Sequence, residues 1–464
     1  MKRFLFLCQL LAVLVVLALF YAQIGAAQEQ KAQAIHYTVT DLGIISAANP
    51  GPLVVTNDGL IAEAVTVSNA MHAAISFQGR TPIDLAKDGG LGGPNSAAFG
   101  VNQWGVAAGE AETADSNSED FCGFGTQQVC QAFIWRFGVM SPLPLLKDEN
   151  GAEGRNASAK GINISGQVGG VAENTTLDST CPPYDPASFQ FQMYQFEPVI
   201  WTNSKIQELP TSGTDSKGNA FHDPDGVVFR INDSGEAVGT TGTCTGFSGF
   251  SYINGLRATL WRRDGSVIDL GNLGGIATPP PGSGLGNFGN FAYNINRLGH
   301  VVGTSGKSDG SAHAFLWTPE KLIQDVGTIP ASGNIPADAA SIGLAINDLD
   351  DIGGVSFPAN GLPRAFVRPH GGTPLDLNSL VTDNPADLYL FTACSINSRG
   401  EIIGLALDAQ FNLHGYLATP NDSAADSSAE SSAESRWSHF EYAWKVLRDR
   451  LGLFGRSGET SAEK

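Results

Sequence analysis

Phe291-Ala-Tyr-Asn-Ile-Asn-Arg-Leu-Gly-His-Val-Val-Gly303, continued by His313-Ala-Phe-Leu-Trp317, contains three short apolar runs separated by turn residues. Asn296-Arg-Leu-Gly299 sits between two alternating apolar segments. A glycine closing such a corner supplies the positive φ that a tight hairpin with a bulge requires. The local expectation is a small antiparallel unit.

The unit recurs. The corner returns as Asn163-Ile-Ser-Gly166, Asn232-Asp-Ser-Gly235 and Asn397-Ser-Arg-Gly400, and after a Val as Asn102-Gln-Trp-Gly105. Asn347-Asp-Leu-Asp350 has lost its glycine and Thr56-Asn-Asp-Gly59 its asparagine, making seven corners spaced 46 to 69 residues apart. A short strand follows each corner. Next comes an apolar strand that in four copies ends in tryptophan: Trp135, Trp201, Trp261 and Trp317. A fourth run follows, such as Ile83-Asp-Leu85 or Val267-Ile-Asp-Leu270. Four strands per unit at this period predict propeller blades. The seventh unit, ending near Leu417, has no fourth strand, whereas the chain begins with an orphan one, Tyr37-Thr-Val-Thr-Asp-Leu42. The expectation is an all-β, seven-bladed β-propeller of four-stranded antiparallel blades over residues 37–420. Pairing the orphan into the last blade would close the ring and hide its open edge.

The N-terminus carries Lys2-Arg3, an apolar run from Phe4 to about Ala22 and small residues around Gly25-Ala26-Ala27. Residues 1–27 read as a secretory signal peptide, the rival being an uncleaved membrane anchor. The net charge of −19 argues against nucleic acid, whose phosphates would be repelled. Abundant Gly (56) and Pro (24) with only 16% charged residues suit short strands joined by many turns. In an oxidising compartment Cys122 and Cys130, flanking a short loop, are candidates for one disulfide, and Cys181 and Cys244 for a second. Cys394 is left over, and no Cys-x-x-Cys spacing suggests a metal.

Rim loops are where propellers keep function, and the longest insertions fall at 110–131, 171–197, 211–228, 240–256 and 276–290. Tyr184, Phe189, Phe191 and Tyr194, with Phe247, Phe250 and Tyr252, could stack on sugar rings or grip a partner; the plainer reading is a satellite core. Asp223 and Asp225, or Asp348, Asp350 and Asp351, could offer oxygens to Ca²⁺ without matching a calcium-loop spacing, and acidic corners commonly just satisfy turn backbone. His72, His313 and His414 cycle through one repeat position with Gln131, Glu197, Arg257 and Arg364. That marks a structural role in hydrogen bonding at the start of the third strand. No nucleophile elbow, zinc-protease helix motif or phosphate loop is present, so no catalytic, cofactor or metal residue is assigned.

After Pro420 the composition changes. Residues 421–435 are almost wholly Ser, Ala, Asp and Glu, a disordered linker. In 436–455, Trp437, Phe440, Trp444, Leu447 and Leu451 fall on one stripe of an amphipathic helix with a basic flank. It would lie on an anionic membrane surface, dock to a partner or pack back on the ring.

The repeated His-Ala-Phe-Leu-Trp, Ile-Asn-x-x-Gly and Asp-Leu-Gly elements resemble the bacterial HAF family of extracellular repeat proteins, from about Tyr37 to Leu417. The resemblance implies secretion and repetition but no activity. Two readings of function follow. One is a secreted or envelope-associated, non-catalytic binding or scaffold protein recognising a glycan or protein through its rim loops. The other is an extracellular propeller enzyme, polysaccharide-cleaving or quinone-dependent, with acid and base residues lining the channel. Departures from the repeat are mostly insertions and lost glycines, which favours binding.

Overall fold

A computed structural model of the chain describes residues 35–45, 53–181, 192–215, 217–248, 251–275, 289–359 and 362–421. The expected signal segment, the linker and the amphipathic helix lie outside these residues. Six four-stranded antiparallel sheets follow one another along the chain, each strand pairing with its sequence neighbour. They are blades 1 to 6, at 54–84, 92–142, 157–208, 225–269, 291–327 and 340–376. Blade 7 is built from Ser395–Ile396, Ile402–Leu407 and Leu413–Asn421, with His36–Ile44 running antiparallel to the last of these. The protein is therefore an all-β, seven-bladed propeller.

Blade 7 departs from the simple unit. Its inner strand is interrupted, Tyr389–Leu390 and Ser395–Ile396 both pairing with Ile402–Leu407. Val381–Asp383 adds a short parallel strand outside His36–Ile44, covering backbone that would otherwise be an open edge.

Each junction between blades holds its own apolar cluster. Between blades 2 and 3, Ala108 and Ile134 meet Val168 and Trp201; between blades 7 and 1, Ile403 and Leu417 meet Val55 and Ile61. The tryptophans serve these junctions while keeping their polar edge satisfied. Nε1 of Trp201 donates to Pro144 O at 2.8 Å, and Nε1 of Trp261 donates to Pro210 O at 2.8 Å. Trp135 is only half-buried.

The corner asparagines do more than turn the chain. Oδ1 of Asn296 accepts from the backbone N–H of Leu298 and of His300, both at 3.0 Å. Its Nδ2 crosses the junction and donates to Asn347 O of the next blade at 3.0 Å. The same inter-blade bond runs from Asn102 to Asn163, Asn163 to Asn232, Asn232 to Asn296 and Asn347 to Asn397, at 3.0–3.2 Å. Asn397 then donates to Thr56 O at 3.0 Å, across the two ends of the chain. Only the step from blade 1 to blade 2 is missing, because Thr56 has no amide to donate. Gly105, Gly166, Gly235, Gly299 and Gly400 all take φ between 73° and 81°, as their corners require; Asp350, which replaces a glycine, still takes φ 63°.

The second glycine of the motif has a different cause. A Cβ on Gly303 would lie 1.8 Å from Phe291 O and 2.7 Å from the Phe315 ring. Gly109, Gly354 and Gly404 are crowded in the same way by a first-strand carbonyl and a third-strand aromatic. This approach accompanies a bulge in the first strand, at Phe99 in blade 2, Lys160 in blade 3, Phe229 in blade 4 and Tyr293 in blade 5.

Two substitutions probe the amide ring. Asn296→Ala removes two turn bonds and two bonds to the next blade, to Asn347 O and to Asp350, from a buried position, and should cost about 2–4 kcal/mol in denaturant unfolding. Thr56→Asn supplies the missing seventh bond and should raise stability by about 1 kcal/mol; an unchanged or lower midpoint would deny the ring its stabilising role.

Candidate functional site

Seven inner strands converge on the axis. At the corner end the mouth is lined by side chains from all seven blades, including Asn57, Gln103, Asp233, Arg297, Asp348 and Ser398. Behind this polar lip stands a collar of one branched apolar residue per blade: Val55, Val101, Ile162, Ile231, Ile295, Ile346 and Ile396. The mouth encloses about 230 Å³, below the 300 Å³ or more of common organic-ligand pockets. It suits ions and waters better than a sugar chain.

Deeper in, the bulges turn first-strand side chains off the packed faces, and here the repeat breaks. The position two or three residues before the corner carries Lys160 in blade 3, Arg230 in blade 4, and Tyr293 with Asn294 in blade 5. Lys160 Nζ lies 4.1 Å from the centroid of Phe99 and 3.2 Å from Glu110 Oε2, which also accepts from Ser158 Oγ at 2.5 Å. Burial holds the Lys160 ammonium below its ordinary pKa, against the pull of Glu110. Phe229 and Tyr293 rings lie 5.4 Å apart. Arg230 Nη1 donates to Phe229 O at 2.8 Å and to Lys160 O. Its charge is also felt by Lys160 of blade 3 and by Cys394 of blade 7, on the far side of the sequence from blade 4. The reading of the departures as insertions and lost glycines thus missed the axial ones. Their signal was present: unique polar or cationic residues at aligned positions just before the corners.

The opposite end carries the insertions. A corner joins first to second strand, so second-to-third links and blade-to-blade links all lie at the other end. All five long insertions fall in these links, around blades 2 to 4 and the entry to blade 5. They are tied together. Disulfides join Cys122 to Cys130 and Cys181 to Cys244, the latter linking blade 3 to blade 4 across a sequence separation of 63. Phe121 packs edge-on against Phe196 at 5.1 Å. Asn156 donates to Glu173 at 2.7 Å and Glu119 at 3.3 Å, and accepts from Cys130 N and Asn117 Nδ2 at 3.0 Å each. Burial and the Glu119 carboxyl hold Glu173 well above the usual carboxylate range. Asp225 accepts from Phe196 N and Gln192 Nε2 at 2.8 and 2.7 Å; burial, reinforced by Asp178, pushes it up to about 9.

Of the aromatic ligand candidates, Tyr184, Phe189, Phe191 and Phe250 lie outside the described residues. Phe247 and Tyr252 belong to the strands Ala237–Ser248 and Ser251–Trp261. Tyr194 opens the third strand of blade 3, half-buried on this rim. The acidic residues considered for Ca²⁺ face protein donors. Asp223 is held by Arg257 at 2.5 Å and by Thr241 at 2.6 Å, and Asp348 by Arg297 at 2.7 Å. Asp350 accepts from Asn296 and His300 at 2.9 and 2.8 Å, and Asp351 from Asn347 at 2.9 Å. Cys394 is half-buried and unbridged.

The cycling third-strand position has a cross-strand partner, the Asp of the fourth strand. His72–Asp84, His313–Asp325 and His414–Asp41 each close at 2.8 Å, and Arg364 reaches Asp376 at 3.2 Å. Although burial raises the Asp325 carboxyl, His313 draws it down to about 2. Blade 3 breaks the rule by opposing Glu197 to Glu208. Burial and the Glu208 charge push Glu197 up to about 7.

No protein-family model matches the chain, and no curated protein matches it. Among solved structures, the chain is similar to the β-propeller domain of the Trilobed protease from Pyrococcus furiosus, described as having an open velcro topology. Identity there is 9%, coverage 84% of this chain and 99% of that one, and the TM-score 0.41. It is also similar to a puromycin hydrolase variant complexed with PGG, at 11% identity over 84% of this chain and 57% of that one, with a TM-score of 0.40.

Glu197 makes stability depend on pH. Its folded pKa of about 7 exceeds the ordinary 4.5, so the folded state holds the proton more tightly. The associated stability is fully present below about pH 4.5 and is lost as pH rises through 7. Glu197→Gln should flatten that decline, by on the order of 2–3 kcal/mol at most between pH 5 and 8, in chemical denaturation at stepped pH. An unaltered profile would place the proton elsewhere.

Proposed function

We propose that this chain is an exported, non-catalytic binding or scaffold protein, of the kind the HAF resemblance implies, which recognises a glycan or protein through the insertion-bearing rim of blades 2 to 4. The observation that carries this reading is the gathering of the long insertions at one end of adjacent blades, where two disulfides and the Phe121–Phe196 contact brace them. Chain ordered before binding loses less entropy on binding. The disulfides also fit an oxidising, extracellular or envelope location. Tyr184, Phe189, Phe191 and Tyr194 are the aromatics proposed to make contact; Cys181 and Gln192, which flank the first three in sequence, lie on this rim with Tyr194.

Closure of the ring by the N-terminal strand belongs to the same proposal. His36–Ile44 is supported in that role by its register on Leu413–Asn421 and by Asp41, which meets His414 as a fourth-strand Asp does in other blades. A scaffold with a closed seam keeps its rim geometry under load.

The purified mature chain should bind a member of a glycan or protein array and turn over nothing in a hydrolase and lyase panel. Cys181→Ala with Cys244→Ala should weaken that binding at least about tenfold while the ring still unfolds cooperatively. Turnover that survives repurification would favour the enzyme reading instead. Deleting residues 36–43 should lower the melting temperature and promote aggregation; a truncated chain melting like the full one would remove the strand from the closure role.

A further inference from the structure

We propose that the axial channel binds a small oxyanion, a carboxylate or phosphate group, with Arg230 as its counter-charge. The inference is independent of the rim reading, since the channel residues belong to the inner strands.

Arg230 follows the bulge in the first strand of blade 4 and reaches Lys160 O on the first strand of blade 3, and the titratable groups that feel its charge are Lys160 and Cys394. Neither offers a negative charge: a lysine side chain has no anionic form, and burial raises the Cys394 thiol. Glu110, the carboxylate beside Lys160, accepts from Lys160 and Ser158 rather than from Arg230. Among the described residues no carboxylate pairs with Arg230, and only its Nη1 is seen to donate, to two main-chain carbonyls. Nε and Nη2 therefore keep their donors for something else. Arg230 is half-buried, and a guanidinium drawn partly out of water without a counter-ion is costly. Its planar fork matches the two oxygens of a carboxylate or phosphate.

The surroundings select for size and polarity. The Val and Ile collar narrows the corner end, and the mouth of about 230 Å³ admits small solutes only. Phe229 and Tyr293 lie beside Arg230 along the inner strands and lower the local polarity, which strengthens an ion pair there. The Tyr293 hydroxyl has no hydrogen-bond partner among the described residues and can donate to the same anion.

Calorimetry on the full mature chain in a zwitterionic buffer would decide. Titration with sodium phosphate or sodium acetate should give saturable, one-to-one heat in at least one case, with sodium chloride as the blank. Whichever anion responds identifies the source. Arg230→Met should weaken that binding by about tenfold or more, and Arg230→Lys by less. Cys394 supplies a second readout, because a bound anion should slow its modification by a neutral maleimide; this works on the wild-type chain should the Met variant not fold. Absence of saturable heat with both anions, equal affinity in Arg230→Met, or an unchanged Cys394 rate at saturating ligand would overturn the proposal.

Discussion

The ring depends on an amide nitrogen pointed at the neighbour's backbone. Apolar faces hold adjacent blades together, but they are non-directional and tolerate sliding. The corner asparagine supplies direction. One side-chain oxygen organises its own turn, and the nitrogen takes a carbonyl 50 to 69 residues further along, fixing each sheet against the next at the axis. The final bond, Asn397 to Thr56, joins opposite ends of the chain, so the amides encircle the channel with a single gap at blade 1.

That ring also explains why the inner strands can carry unusual residues. With the corners pinned and a glycine beneath each bulge, first strands bend without losing their pairing. Side chains at the bend then answer to the channel rather than to a packed face. Blade 1 shows the converse: Glu63 stands where the others have glycine, and its first strand shrinks to Val54–Val55. The axial cluster of Lys160, Arg230 and Tyr293 is thus a product of the same geometry that builds the ring.

The two ends have diverged in chemistry. At the corner end the blades are nearly equivalent and present a narrow polar lip. At the insertion end, blades 2 to 4 carry nearly all the irregularity, and buried carboxyls such as Glu173 and Asp225 are held above the usual carboxylate range because burial disfavours their charge. The contribution of these carboxyls to stability falls as pH rises.

How much of this could be read from the chain follows from where each partner sits. Turn chemistry is local, so Asn296-Arg-Leu-Gly299 and its copies by themselves determined the unit, its number and the all-β class. The cycling of His72, His313 and His414 through one position likewise disclosed a structural role, and the short loop between Cys122 and Cys130 suggested their bridge. The fourth-strand Asp that those histidines meet was already quoted in the Asp-Leu runs, yet its pairing required the register. Tertiary structure alone decided the rest. An asparagine's second bond, the reach of Arg230 towards Cys394 and the placement of five insertions at one end all depend on which blades become neighbours about an axis. Periodicity reports the face a residue occupies within its own sheet; it carries no information on what another sheet, fifty or more residues away, brings opposite.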